Sequence, residues 1–444
     1  MMTDTRPCPL ENWIRNRISV SRLDADAISH YQLSKLRETV AYVRRHSPFY
    51  ARHLSGRTEK ELQYLQDLRK FPFTTAAHLI QGGLDFLCVS QDSVERVVTL
   101  ETSGTTGGPK RIFFTREDLE KTIDFFAHGM AGFVNPGGRV LILLPGDRPD
   151  SVGDLLVRGI GRIGAEGIVH GPVRDPEAAV KAVQVHGIDC IIGIPVQVLA
   201  MARSGPPLKR GRLKNVILTT DYVPNAILRA VESAWECRVF NHYGMTEMGY
   251  GGGLECSARN GYHFREADLF FEIIDPSTGR PKNDGELGEV VFTTLTRNGM
   301  PLIRYRTGDI SRFLRSRCTC GARLGRMERV RARLAGIIQL TGGGRLTPAD
   351  LDEALFPIPN LLDYRAELDH HNAEDQLRIY LHLNGGVRSK AVKASRNRLK
   401  AVPALAAALS AGKLKLIFTV SDGERPVSAG TAKRLISDQR KQMP

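Results

Sequence analysis

Apolar positions recur at three- and four-residue steps through residues 28–46, where Leu33, Leu36, Val40 and Val43 mark one face of an amphipathic helix. Ser47-Pro48 ends that pattern, because the residue before a proline avoids the helical region. Short apolar runs then follow at 94–100, 139–144, 188–194, 215–218 and 238–241, separated by helical stretches. Strands that are apolar on both faces and alternate with helices predict a largely parallel sheet. From residue 269 the runs 269–274 and 289–294 flank Pro276, Gly279 and Asp284-Gly285, which predicts an antiparallel region.

After residue 335 the pattern changes again. It predicts a strand at 337–340, a helix at 348–355, strands at 364–368 and 377–383, a helix at 387–402 and a strand at 414–420. That order, β-α-β-β-α-β, is ferredoxin-like. The Ala-rich stretch 404–411 reads as helix. The expected fold class is α/β. A large N-terminal domain, 1–334, has mainly parallel sheets and an antiparallel subdomain, and a small C-terminal ferredoxin-like α+β domain spans 335–444.

Length and composition narrow this picture. At 444 residues the chain exceeds one average core. Its 42% hydrophobic and 25% charged residues are those of a globular protein. No apolar run is long enough to span a bilayer, and residues 1–13 carry no signal-like apolar stretch, so the expected location is cytoplasmic. The net charge of +14 raises nucleic acid as a partner. The cations are dispersed, however, without interleaved aromatics, and nucleotide or coenzyme phosphates account for a basic surface as well. The seven cysteines, an odd number, argue against a disulfide framework. Cys88, Cys190 and Cys237 lie in apolar runs and read as small core residues.

The strongest motif is Thr102-Ser103-Gly104-Thr105-Thr106-Gly107-Gly108-Pro109-Lys110. Small residues let the backbone turn tightly and aim several N–H groups at one anion, hydroxyls add donors, and Lys110 adds charge. It is not a Walker loop, since Pro109 precedes Lys110 and Arg111 follows it. This loop resembles the phosphate loop of the adenylate-forming superfamily of acyl- and aryl-CoA synthetases, and the chain is most similar to its phenylacetate-CoA ligase-like branch. Arg44, Ser47-Pro48-Phe49-Tyr50 and Phe71-Pro72-Phe73-Thr74-Thr75 match that branch's opening segments.

Two further motifs carry the resemblance. Tyr243-Gly244-Met245-Thr246-Glu247 follows a predicted strand, where open α/β sheets place ligands. The resemblance implies Tyr243 near adenine, Gly244 allowing close approach, Thr246 at the α-phosphate and Glu247 at Mg²⁺. In Tyr305-Arg306-Thr307-Gly308-Asp309, the resemblance implies that Asp309 binds the ribose hydroxyls, and that Arg333 comes near the nucleotide. The acid pocket is expected between the glycine loop and residues 243–253, with Gly249 and Gly251-Gly252-Gly253 leaving room for a flat ring.

Cys256, His263, Cys318 and Cys320 offer three thiolates and an imidazole, a known closed set for structural Zn²⁺. Cys318-Thr319-Cys320-Gly321 forms a tight turn able to present two sulfurs, and an antiparallel region could fold it back to Cys256. Members of the similar branch carry a matching zinc set.

Three stretches depart from the branch. Where it has a Gly-Ala-Glu-Pro-like segment at the adenine, this chain has Thr219-Thr220-Asp221-Tyr222-Val223-Pro224. The hinge stretch, Ala332-Arg333-Leu334-Ala335-Gly336, lacks an acidic residue. Near the C-terminus, Gly430-Thr431-Ala432-Lys433-Arg434 puts Thr431 where the branch has its catalytic lysine, with Lys433 two residues on.

The resemblance implies ATP-dependent activation of a small aromatic or arylacetic carboxylic acid to an acyl-adenylate, with transfer to coenzyme A. Alternatives are transfer to an amine, a hydroxyl or a carrier-protein thiol, or a catalytically weak nucleotide-binding scaffold. The implied catalytic residues are Thr246, Glu247 and Lys433. The implied cofactors are ATP, Mg²⁺, coenzyme A and structural Zn²⁺. A homodimer is compatible with the sequence.

Overall fold

A computed structural model of the protein describes residues 8–100, 108–372, 374–422 and 434–442. The chain divides into two compact units. The first comprises Met1–Gly137, Arg148–Gly167 and Asn241–Val330; the second comprises Gly138–Asp147, Ile168–Phe240 and Arg331–Pro444.

In the first unit the amphipathic pattern becomes the helix Ala25–His46, begun by Asp24, whose carboxylate accepts from Ala27 N at 2.9 Å. It buries Ile28, Leu36, Val40 and Val43. Ser47 breaks it as expected, and a new short helix, Pro48–His53, starts on the proline. The expected antiparallel region is a sheet of Leu269–Ile274, Gly288–Thr294 and Tyr305–Ser311. A second ladder pairs the end of Arg238–Tyr243 with Gly253–Glu255, that strand with Tyr262–Phe264, and Tyr262–Phe264 with Arg326–Met327. The pattern at 94–100 predicts one more parallel strand. Instead Arg96–Leu100 pairs antiparallel with Lys110–Phe114. Nine residues between two extended segments are too few for a parallel crossover and suit a hairpin connection.

In the second unit Arg139–Ile142, Cys190–Gly193 and Asn215–Leu218 run parallel. Helices Pro176–Val185, Pro195–Ser204 and Asn225–Trp235 alternate with them. Each of the first two has proline in its first turn, and Pro195–Ser204 buries every residue from Pro195 to Met201. Cys88, Cys190 and Cys237, spread over both units, are buried as expected, and burial pushes the thiols of Cys88 and Cys237 up to about 12.

Further along the second unit, Leu361–His371 and Glu374–Leu383 form a long antiparallel hairpin. Leu414–Asp422 lies parallel to Glu374–Leu383, and Ile436–Asp438 lies parallel to Leu361–His371. Helices Arg388–Leu399 and Pro403–Ser410 complete this α+β region. One strand differs from expectation. Ile338–Gln339 pairs only with Arg345–Leu346, outside the four-stranded sheet, whose edge is Ile436–Asp438. Gly342 and Gly343, at φ +104° and +100°, turn the chain straight back after residue 339. Among the described residues no helix is long and apolar enough to cross a membrane.

Candidate active site

The second and third motifs converge within the first unit. Lys110 opens the strand Lys110–Phe114, Glu247 sits in the 3₁₀ turn Thr246–Met248 after Arg238–Tyr243, and Tyr305 opens Tyr305–Ser311. Lys110 Nζ forms an ion pair with Glu247 and lies 3.4 Å from Tyr305 Oη. Tyr305 Oη donates to Glu247 Oε1 at 3.0 Å. Tyr243 Oη donates to Asp309 Oδ2 at 2.9 Å, and Thr307 Oγ1 accepts from Asp309 N at 3.0 Å. The end of the central strand is fixed by Glu255, which accepts from Asn241 N and Nδ2 at 2.8 and 2.9 Å and is held by Arg329 Nε at 2.6 Å.

Glu247 is buried, at 4% exposure. Burial pushes its carboxyl upward, but the charge and hydrogen bond of Lys110, with help from Tyr305, outweigh this and hold it below the usual carboxylate range. Glu247 is thus an anion kept ionised by a protein cation. Thr246 and Gly244 are half-buried beside it. Gly244 permits a close chain crossing, since a Cβ there would stand 2.1 Å from Tyr250 O.

Of the glycine loop, Gly108 is exposed and Lys110 half-buried, while Thr102, Ser103, Gly104, Thr105, Thr106 and Gly107 lie outside the described residues. Lys433 and Thr431 also lie outside them. Arg333 is half-buried on Ala332–Arg333, in the second unit. Sequence reasoning assigned no role to Tyr305. Its position at the head of the Arg-Thr-Gly-Asp motif was the available signal.

One expectation is corrected. The glycines at 251–253 do not leave an open slot, whereas Gly249 lines a small cavity with Phe114, Lys121 and Thr122. A Cβ on Gly251 would meet Phe125 at 2.1 Å, one on Gly252 would meet Met248 Sδ at 2.7 Å, and one on Gly253 would meet Tyr262 Cβ at 2.9 Å. Neighbouring side chains already occupy that space, so these glycines serve packing.

The thiol cluster also assembles in the first unit. Arg326 pairs with His263 across the ladder, and His263 pairs with Leu254, which brings the 318–320 turn back to Cys256. The four donor atoms lie within 4.8 Å of one another, and all four residues are buried. Cys256 and Cys318 Sγ are 3.5 Å apart, and Cys320 Sγ is 3.4 Å from His263 Nε2. Tetrahedral Zn²⁺, with bonds of about 2.3 Å to sulfur and 2.0–2.1 Å to nitrogen, needs donor spacings of roughly 3.5–3.8 Å. The donor set and spacing therefore fit the ion. Hydrogen bonds from Cys256 and His263 favour the Cys320 thiolate, and the same sharing raises the Cys256 thiol. His263 Nδ1 is buried with no hydrogen-bond partner, so packing rather than an outer acceptor orients this ring.

A buried carboxylate held by lysine, and a tyrosine bonded to an aspartate from the next motif, gather the features of a nucleotide-dependent acid-activating site. Residues 89–296 match the family model described as AMP-binding enzyme. The phenylacetate-coenzyme A ligase of Thermus thermophilus is 30% identical over 356 residues, covering 77% of this chain and 78% of that one. The phenylacetate-coenzyme A ligase of Escherichia coli is 27% identical, over 86% of both chains. Among solved structures, a 2-hydroxyisobutyryl-CoA ligase in its postadenylation state superposes with a TM-score of 0.81 at 20% identity, over 94% of this chain and 91% of that one. The chain belongs to the AMP-binding enzymes, in the family of the phenylacetate-coenzyme A ligases. It is an AMP-forming acid–thiol ligase, acting through an acyl-adenylate.

Proposed function

We propose that the protein activates a small aromatic or arylacetic acid with ATP and passes the acyl group to coenzyme A. The observation that carries this reading is the meeting of Lys110, Glu247 and Tyr305, which joins all three motifs at one point. In it, the 102–108 segment cradles the polyphosphate, and Thr246 donates to the α-phosphate. Asp309 takes the ribose hydroxyls, oriented by the Tyr243 hydroxyl. Arg333 serves the nucleotide, and the small C-terminal domain begins at 335. Mg²⁺, held by Glu247, would neutralise charge on the departing pyrophosphate.

The chain's own groups do the rest. Lys110 keeps Glu247 ionised, and with Mg²⁺ held by Glu247 it would face phosphate oxygens. Lys433 stands in for the branch lysine missing at Thr431 and stabilises charge as the carboxylate attacks the α-phosphorus. Cys256, His263, Cys318 and Cys320 hold a structural Zn²⁺; four protein ligands leave no open position for chemistry. The location is cytoplasmic, where ATP and coenzyme A are available.

A panel of carboxylic acids scored by acid-dependent pyrophosphate exchange tests the activation step. Arylacetates and benzoates should lead the panel, and coenzyme A should then accelerate AMP release. Exchange led by aliphatic acids would overturn the aromatic assignment, and AMP release indifferent to coenzyme A would overturn the acceptor.

A further inference from the structure

The turn Thr246–Met248 that carries Glu247 is a single 3₁₀ turn, held weakly by its own hydrogen bonds. Met245 O accepts from Met248 N at 3.0 Å and from Tyr250 N at 2.9 Å, and Thr246 O accepts from Gly249 N at 3.0 Å. The carbonyl of Glu247 is taken by a side chain from another part of the first unit: Arg297 Nη1 donates to Glu247 O at 2.7 Å. The same guanidinium donates through Nη2 to Phe113 O at 3.1 Å. Phe113 lies in the strand Lys110–Phe114, which Lys110 opens. One planar fork therefore joins the two elements that supply the two halves of the Lys110–Glu247 ion pair.

Arg297 is itself held. Its guanidinium lies 4.3 Å from the centre of the Phe114 ring, and Phe114 stacks on Tyr250 at 5.6 Å. Its neighbours in the chain are pinned from three directions. Lys121 Nζ donates to Thr296 O, and Thr296 Oγ1 donates to Asp268 Oδ1 at 2.5 Å. Asp118 accepts from Asn298 N and Gly299 N at 2.9 and 3.0 Å. All of these residues belong to the first unit. The stretch 296–299 is thus anchored by side chains, and it presents a half-buried cation to two backbone carbonyls.

We propose that Arg297 is a positioning residue for the acid-activating site, bridging the strand Lys110–Phe114 to the turn Thr246–Met248 so that Lys110 meets Glu247. This rests on the reading above that Lys110, Glu247 and Tyr305 form that site. Arg297 bonds to the carbonyls of the two elements and not to the side chains of the pair, so it acts through the backbone. Its loss loosens the pair and slows activation, while affinity for the carboxylic acid is left to other groups.

The test uses the full-length protein, with kcat and the KM for the acid in pyrophosphate exchange, and the melting temperature beside them. Arg297→Met should lower kcat about tenfold, the effect of losing charged donors to two carbonyls, with little change in the KM for the acid. Arg297→Lys keeps the charge but spans one carbonyl at most, and should recover only part of the rate. With Lys110→Met already present there is no pair to set, so adding Arg297→Met should cost much less. A lower melting temperature at the wild-type kcat would make the bridge merely structural and overturn the inference. So would full recovery in Arg297→Lys, which would assign the effect to charge alone, or an equal cost with and without Lys110→Met. Exchange slowed by Glu247→Gln but indifferent to Arg297→Met would overturn this inference and leave the functional reading standing. Exchange indifferent to Glu247→Gln would overturn that reading and this inference with it.

Discussion

Two buried groups of anionic donors in the first unit solve the same problem differently. At Glu247 the protein supplies the counter-charge: Lys110 forms an ion pair with the carboxylate and Tyr305 donates to it. At Cys256, His263, Cys318 and Cys320 the donors turn towards one another, with backbone groups of Ala258 and Ala322 also at the sulfurs of Cys256 and Cys320. A carboxylate already satisfied by lysine keeps its charge without a metal beside it. Thiols that converge on each other gain their counter-charge when a cation sits among them. The first arrangement suits an exchanging cofactor, the second a permanent one. Damage to the first should therefore appear in rate, and damage to the second in stability.

The largest expected effect would break that contrast outright. Glu247→Gln should slow pyrophosphate exchange by roughly 10²–10³ with little change in melting temperature, as for loss of a group acting on developing charge. A drop in melting temperature at normal rate would reverse the roles of the two regions. Lys433→Ala is expected to cost a similar factor, about 10²–10³, with ATP affinity nearly intact. If it has no effect and Thr431→Lys raises the rate, the branch lysine is truly absent from this chain.

Next comes the thiol set. Protein purified without added metal should contain about one zinc per chain by elemental analysis. Cys318→Ser, or a strong chelator, should lower the melting temperature by several degrees, since each kcal/mol moves a domain of this size by about 2–4 °C. ATP affinity should change less. Metal-free protein of normal stability would remove the zinc assignment.

A smaller effect sharpens the role of Lys110. Its charge is what lowers the Glu247 carboxyl, so wild-type exchange should keep Glu247 ionised to below its ordinary value of 4.5. Lys110→Met removes the opposing influence and leaves burial to raise the group. The acid limb of the pH–rate profile should then move to higher pH, whatever the overall rate. An unmoved limb would mean that Lys110 serves only the phosphates. The smallest effect concerns the glycines: Gly251→Ala, forced against Phe125, should cost about 1–3 kcal/mol of stability without altering the order of preferred acids.

Much of this site was legible in the sequence because its residue types are rare in combination. Three motifs in order, and three cysteines with one histidine, point to chemistry that few other arrangements share. The Cys318-x-Cys320 turn could be paired with Cys256 before the ladder Tyr262–Phe264 with Arg326–Met327 was known. What stayed hidden depended on neighbours far away in the chain. Gly251 reads as open space until Phe125 fills it. Residues 94–100 look like one more buried strand until Lys110–Phe114 pairs beside them. Ile436–Asp438 is too short to register as a strand, and its role comes entirely from Leu361–His371. Local pattern fixes an element's type more firmly than the partner it meets.

The bond between Asp221 and Arg434 joins positions 213 residues apart. A chimaera that takes its last hundred residues from another ligase could keep every phosphate, ribose and metal motif and still lose Glu353, which accepts from Tyr222 and Asn225, and Arg434, which Asp352 holds. Such hybrids should work when the donor's residues at 352, 353 and 434 match the recipient's 219–225 segment, and fail when they do not. For anyone recombining these enzymes, that short segment marks which tails a given body can accept.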